Sequence, residues 1–198
     1  NVMISGYVQS GLDLDAIEHF ERMVREGHMP REFTFSSILK ACGSLRSLHH
    51  LKCLHDHIIR TSVTLDAIIE SALVDAYAKC GSLEDARRLF DASSESNQNE
   101  MRWGMIIAGY TRHGHSHCAF ELFQNMQEMM IMPNGITYLS LISACSHAGL
   151  MEKGCQHFKD MIMLNGILPT LEHYNAVVDL LARSGHLKEA EDLLETLP

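Results

Sequence analysis

Histidine and cysteine are the residues of this chain with the most obvious chemical potential, since its 198 residues include 13 histidines and 6 cysteines. His50, Cys53 and His57 follow at intervals of three and four residues, which places them on one face of a helix. Imidazole nitrogens and thiolates are zinc ligands, but one helix supplies three ligands only with strained geometry. The same pattern fits side chains that cover a helix surface and part of a core. We favour that second interpretation and expect no metal.

Signatures of catalysis are missing from the sequence. A zinc deaminase needs H-x-E together with P-C-x-x-C, and the two do not occur together, because the sequence has H-x-E at 19–21 but no P-C-x-x-C. The G-x-x-x-x-G-K phosphate loop is also missing, and no spacing of Ser, His and Asp selects a triad. The cysteines form no C-x-x-C pair, so we interpret them as reduced, small core residues. We therefore expect a protein that is not an enzyme and needs no cofactor.

The elements that carry these residues recur along the chain every 33 to 36 residues. One recurrent position is filled in turn by Gly11, Arg46, Gly81, Gly114, Gly149 and Gly185. An alanine recurs five residues after it, and a phenylalanine recurs nine residues after it. These are Ala16, Ala86, Ala119 and Ala190, and Phe20, Phe90, Phe123 and Phe158. Several columns in one register identify an internal repeat.

Each repeat is predicted to be two helices joined at the recurrent position, because glycine tolerates the positive φ that ends a helix. Asp13, Ser82 and Ser116 are expected to cap the second helices. One such pair cannot bury its own apolar face, so the predicted fold class is all-α, a right-handed α-solenoid of stacked helix-turn-helix repeats. The array is one domain whose repeats 1 to 6 cover 1–31 (partial), 32–66, 67–99, 100–134, 135–170 and 171–198.

Two further expectations concern the connections of the array. The polar stretch 92–99 at the end of repeat 3 is predicted to be a surface connection. The chain opens inside an incomplete repeat, so we expect it to be a piece of a longer protein.

The net charge of −9 by itself argues against a nucleic-acid-binding protein. The distribution of the charge weakens that objection. The first halves of the repeats hold 5 basic and 6 acidic residues, whereas the second halves hold 10 basic and 18 acidic residues. The acidity therefore belongs to the second helices, and salt screens charges beyond about 8–10 Å. No apolar run approaches the length of a membrane-spanning helix, so no membrane association is expected.

Several strings resemble the pentatricopeptide repeat proteins of plants. They lie at 3–7 (MISGY), 32–42 (EFTFSSILKAC), 72–86 (ALVDAYAKCGSLEDA), 143–150 (SACSHAGL) and 177–185 (VVDLLARSG). Tetratricopeptide repeats share the Gly, Ala and Phe columns but have a period of 34 residues. The varied lengths resemble the subclass that alternates three repeat lengths, and repeats 5 and 6 are similar to its last long and short repeats. The resemblance implies binding of single-stranded RNA in the mitochondrion or chloroplast, mostly to specify sites of cytidine-to-uridine editing.

The resemblance also implies that the fifth and last residues of each repeat read one base. These pairs are Asn1 with Arg31, Ser36 with Asp66, Ser71 with Asn99, Gly104 with Asn134, and Leu139 with Thr170, whereas Asn175 stands alone. A Ser–Asp pair usually means guanine and a Ser–Asn pair usually means adenine in this family. Leu139 cannot hydrogen-bond to a base. The partners implied are single-stranded RNA and an organellar editing cofactor protein or deaminase.

An interaction scaffold is the alternative function. Solenoids of helical pairs offer extended surfaces that bind other proteins. Repeat 5, with Leu139 at its fifth position, would suit the docking of an editing cofactor or a peptide. Binding to short RNAs, compared with binding to a protein partner, discriminates the two functions.

Overall fold

A computed structural model describes residues 1–61, 66–92 and 99–195. These residues form helices and the turns between them, with no strand in the described ranges. The helices are α1 (Val2–Gln9), α2 (Asp13–Arg25), α3 (Glu32–Ser44), α4 (Leu48–Arg60), α5 (Ala67–Lys79), α6 (Leu83–Ala92), α7 (Glu100–Arg112), α8 (Ser116–Glu128), α9 (Gly135–Ala148), α10 (Met151–Met163), α11 (Leu171–Arg183) and α12 (Leu187–Glu195). Five of them begin where the sequence places the start of a repeat, at residues 32, 67, 100, 135 and 171.

The chain forms two compact units, Asn1–Asn97 and Gln98–Pro198. In the N-terminal unit the first helices α1, α3 and α5 pack side by side in chain order, and α2, α4 and α6 pack onto them. The C-terminal unit repeats this arrangement with α7, α9 and α11, against which α8, α10 and α12 lie. The predicted all-α fold of stacked helix-turn-helix repeats is confirmed. The assignment of one domain to 1–198 stays a prediction.

A left-handed residue joins the two helices of every repeat. The glycines at the recurrent position have φ between 68° and 82°. Arg46 has φ 51° and so occupies the same position in repeat 2, as the spacing predicts. The Ser47 N–H donates to the Cys42 carbonyl at 3.0 Å, which closes the end of α3.

Two of the three predicted caps of the second helices, Asp13 and Ser116, are wrong. Asp13 and Ser116 are already the first residues of α2 and α8. The N-cap positions before them are held by Leu12 and His115, which make no side-chain capping bond. The Ser82 hydroxyl donates instead to the Asp85 carboxylate at 2.7 Å. The residue directly after the left-handed glycine is the N-cap, so Asp13 and Ser116, one position later, already lie inside the second helix.

Close helix crossings explain the alanine column. Ala16, Ala86 and Ala119 are fully buried. In repeat 5 the same position is Gly154, where an added Cβ would lie 2.4 Å from Leu180 Cδ2. The core beside it consists of Ile142, Cys145, Val177 and Leu180. The small residues therefore let α9, α10 and α11 approach closely.

The predicted surface connection at 92–99 lies mostly outside the described residues, since 93–98 fall in a gap. Within the described part of the chain, no helix has both the length and the apolar character needed to cross a membrane.

Candidate nucleic-acid interface

In repeats 2 to 6 the fifth residue lies in the second turn of a first helix, whereas Asn1 of repeat 1 precedes α1. Ser36 is on α3, Ser71 on α5, Gly104 on α7, Leu139 on α9 and Asn175 on α11. Asn175 is exposed, Ser36, Ser71 and Leu139 are half-buried, and Gly104 is buried. Because first helices pack side by side within each unit, these residues recur at the same level of successive helices.

The last residue of each repeat is the N-cap of the next first helix. An Asp66 carboxylate oxygen accepts from the Ile69 N–H at 2.8 Å. The amide oxygens of Asn99 and Asn134 accept from the N–H three residues later, each at 3.0 Å. Thr170 forms a capping box with His173. Four of the five predicted last-position residues therefore cap a helix with their side chains, which fixes their rotamers.

The structure brings two of the predicted pairs into contact. The Arg31 N–H donates to the Asn1 side-chain oxygen at 3.3 Å. A Cβ on Gly104 would lie 3.6 Å from the Asn134 side-chain oxygen. Ser71 and Asn99 belong to different compact units, so no contact is assigned within that pair.

The two predicted serines direct their hydroxyl protons into their own helices. The Ser36 hydroxyl donates to the Glu32 carbonyl at 3.1 Å. The Ser71 hydroxyl donates to the Ala67 carbonyl at 2.6 Å. In this state each serine offers lone pairs, but no proton, to a neighbouring group.

Basic residues of two first helices pair with acidic residues one turn away. Lys79 lies 2.6 Å from Asp75 on α5, and Arg183 lies 2.9 Å from Asp179 on α11. The pKa of Asp179 is lowered, because hydrogen bonds from Ser146 and Arg183 outweigh the opposing effect of burial. These pairs locally neutralise the surface that the repeats present on their first helices.

The histidine and cysteine candidates have other partners. The His50 ring accepts or donates a hydrogen bond with Ser47 at 2.6 Å, and the His55 ring does so with Tyr77 at 2.9 Å. His57 packs edge-on against Phe20. Within the residues that the structure describes, no group of three potential ligands is assembled for a metal ion.

Burial keeps the core thiols neutral. It raises the pKa of Cys42 to about 12 and that of Cys145 to about 11. A neutral thiol is neither a metal ligand nor a nucleophile at ordinary pH, which agrees with a packing role for both residues.

Comparison with known proteins identifies the repeats. Models described as PPR repeat match 1–28, 71–97, 136–165 and 172–197, and a model of the PPR repeat family matches 98–147. The chain belongs to the pentatricopeptide repeat (PPR) family. A chloroplastic and a mitochondrial pentatricopeptide repeat-containing protein of Arabidopsis thaliana are 41% and 40% identical to it over 198 residues. This PPR chain spans 24% and 30% of the lengths of these two relatives.

Solved structures show the same fold. The PPR protein PPR10, crystallised with an 18-nt psaJ RNA element, matches 98% of this chain and is itself covered to 29%, with a TM-score of 0.81 and 21% identity. The PPR domain of Arabidopsis thaliana protein-only RNase P 1, crystallised with tRNA, matches 91% of this chain and is covered to 95%, with a TM-score of 0.66 and 14% identity. These neighbours confirm the α-solenoid of PPR repeats.

An apolar side chain stands exposed on the second residue of four first helices in this PPR chain. The exposed fractions are 77% for Phe33, 65% for Ile68, 56% for Met101 and 58% for Ile136. Each lies one helical turn before the fifth residue. These four residues were not among the residues predicted from the sequence to bind RNA. The sequence could have revealed them, because these apolar residues do not fall on the helix face that carries the regularly spaced core residues.

Buried polar side chains recur on the third residue of the first helices and were also missed. Thr34 is 1% exposed, Thr137 is fully buried and His173 is 4% exposed. They lie three residues after an N-cap, and each bonds to a predicted base-reading residue of the preceding repeat: Thr34 to Asn1, Thr137 to Asn134 and His173 to Thr170. No sequence pattern separates them from ordinary core threonines, since their role depends on what the preceding repeat places beside them.

Proposed function

We propose that this PPR array binds single-stranded RNA sequence-specifically, with one base facing the fifth and last residues of each repeat. The observation that carries the proposal is the contact within predicted pairs, Asn1 with Arg31 and Gly104 with Asn134. Residues far apart in sequence meet there at one level of adjacent helices. A helical-repeat code in which two or three side chains read one base needs this arrangement.

Polar and apolar groups at this surface suit the two parts of a base. The fifth and last residues offer hydrogen-bonding groups for a Watson–Crick edge. The exposed side chains of Phe33, Ile68, Met101 and Ile136 offer apolar surface for the faces of bases. The RNA complexes of the neighbouring PPR10 and protein-only RNase P 1 structures support the same class of ligand.

We assign the chain to the subclass with alternating repeat lengths and to organellar RNA processing or cytidine-to-uridine editing. Relatives named chloroplastic and mitochondrial support the mitochondrion or the chloroplast as its location. The array would not catalyse the reaction, and a deaminase or an editing cofactor protein would join it at the site. The full-length relatives are several times longer, so the remainder of such a protein would supply further repeats and domains.

The proposal is tested by Asp66→Asn in the 198-residue chain. The Ile69 N–H holds one side-chain oxygen of Asp66, and the other atom is free for a base. The variant keeps the cap but replaces an accepting oxygen with a donating amino group. We expect the preference for guanine at one RNA position to fall about fivefold and a preference for adenine to appear, because a mismatched edge leaves a polar group unpaired. Fluorescence anisotropy with single-base RNA variants measures the change.

Asp56→Asn is the matched control, because it makes the same charge change at an exposed position of α4, the second helix of the same repeat. Equal effects of both substitutions would assign the result to net charge. Absence of RNA binding by the unmodified chain would refute the proposed function.

Salt dependence provides a further prediction. First helices carry few basic residues, and Lys79 and Arg183 are paired with carboxylates. We expect the slope of log K against log salt to be no steeper than about −2, because each phosphate contact with a single strand contributes about −0.7. Anisotropy titrations between about 50 and 200 mM salt measure it. A slope near −5 would contradict this charge distribution.

A second candidate function is favoured by the apolar surface around repeat 5. Leu139 occupies its base-reading position, and Met132 and Leu164 are 61% and 74% exposed beside Tyr138 and His157. This apolar surface would suit an editing cofactor protein or a peptide. If the chain does not bind RNA but binds such a partner tightly, the result would favour a function as an interaction scaffold.

A further inference from the structure

In repeats 2 and 5 the side chain of the third residue hydrogen-bonds to a predicted base-reading residue of the repeat before it. The Thr34 hydroxyl donates to the Asn1 side-chain oxygen, and the Thr137 hydroxyl donates to that of Asn134 at 3.1 Å. Each of these amide oxygens also accepts from a backbone N–H, so its identity as oxygen is settled. The amino group of each asparagine is therefore the part left for a base, and it can only donate.

His173 lies three residues after Thr170, as Thr137 lies three residues after Asn134. Its side chain, however, accepts a hydrogen bond from the preceding repeat, whereas that of Thr137 donates one. Its Nδ1 accepts from the Thr170 N–H at 3.1 Å, so this nitrogen carries a lone pair. Its Nε2 lies 2.9 Å from the Gly135 carbonyl oxygen and must donate to it. These two contacts assign the ring proton to Nε2 and a lone pair to Nδ1. The Thr170 hydroxyl, 2.7 Å from Nδ1, must donate its proton inward to the ring.

We propose that the third residue of a repeat sets the hydrogen-bond polarity with which the preceding repeat meets its base, and that His173 makes Thr170 an acceptor, so that repeat 5 selects guanine or uracil. This inference rests on the proposed function. The fifth residue of repeat 5 is Leu139, which leaves Thr170 as the polar member of the pair. Thr170 is exposed, so its remaining lone pair can reach a ligand.

The chemistry of the bases gives the selection. The central nitrogen of the Watson–Crick edge carries a proton in guanine and uracil and a lone pair in adenine and cytosine. An accepting hydroxyl pairs with the first two and leaves the others with opposed lone pairs. A donating amino group, as on Asn134, makes the reverse choice. Thr137 and His173 thereby give neighbouring repeats opposite preferences through residues that do not themselves touch the base.

The test is selection from randomised single-stranded RNAs by the full 198-residue chain. Thr170→Asn keeps a capping residue and is expected to reverse the preference at one RNA position, which identifies the position that repeat 5 reads. At that position the unmodified chain should favour guanine and uracil about fivefold. His173→Thr frees the Thr170 proton and should bring the four bases close to parity.

His173→Gln is the matched rescue. Its side-chain oxygen accepts from Thr170 as a capping box requires, so the preference should persist. A merely structural role for His173 would change overall affinity while leaving base preference the same in both variants, and that result would overturn the inference. Loss of all RNA binding by the unmodified chain would instead refute the proposed function, and base selection with it.

Nitrogen NMR of the histidine rings tests the polarity without RNA. We expect His173 at neutral pH to show a protonated Nε2 and an unprotonated Nδ1. A proton on Nδ1 would reverse the Thr170 hydroxyl and overturn the inference, whatever the RNA selection shows.

Discussion

Phe123→Ala is expected to lower the free energy of unfolding by about 3–5 kcal/mol, because it leaves a cavity where two repeats meet. Phe123 on α8 is 8% exposed. Its ring centroid lies 6.1 Å from that of Tyr138 on α9 and 5.6 Å from that of His157 on α10, both in edge-on geometry. Repeat 4 is therefore joined to repeat 5 through this ring. Urea denaturation followed by circular dichroism measures the loss.

Phe33→Ala is the matched control for this prediction. It removes the same ring from a side chain that is 77% exposed, so the expected change in stability is below about 0.5 kcal/mol. The same variant should weaken RNA binding by about 1–3 kcal/mol if its ring stacks on a base. Equal stability losses in the two variants would mean that the phenylalanine column does not join the repeats.

Gly154→Ala is expected to lower the free energy of unfolding by about 1–3 kcal/mol, although alanine favours helix formation. The added Cβ would lie 2.4 Å from Leu180 Cδ2 and 3.0 Å from Cys145 Cβ. The leucine terminus can rotate, but the cysteine Cβ is fixed to its helix. Relief of the clash therefore requires α9 and α10 to separate. Thermal and urea denaturation of the variant measure the cost.

Gly6→Ala on α1 is the control with the opposite expected sign. No atom lies within 4 Å of a Cβ placed there, so the substitution should stabilise the protein by about 0.5–1 kcal/mol. A stabilising effect at Gly154 as well would show that the crossing has room for a methyl group.

Periodicity was sufficient to predict the repeats. Five predicted repeat starts coincide with helix starts, because each repeat ends its first helix at one left-handed residue whose spacing is visible in the sequence. Even Arg46, which breaks the glycine column, adopts φ 51° as its place in the repeat requires. Steric constraint at one position per repeat therefore determined most of the secondary structure.

The contacts between repeats could not be predicted from sequence patterns. Asp13 and Ser116 look like helix caps, but the short turn puts them one residue too far into the helix. The N-cap role of Asn134 and its bond from Thr137 depend on where the next helix begins in space. The direction of the His173 bonds depends on Gly135, 38 residues away in sequence. Such polar details follow from packing geometry, which the order of residue types does not specify.

The helix-starting role of the last residues restricts how such an array can diversify or be re-engineered. Asp66, Asn99 and Asn134 cap helices, and under the proposed function the same side chains would also face bases. A change of RNA target that uses Ala or Leu there would therefore cost about 1 kcal/mol of stability at each junction. Only short polar residues can therefore occupy these positions without a loss of stability when the RNA target changes. Arg31 heads α3 without a side-chain cap and marks the junction where substitution is least constrained.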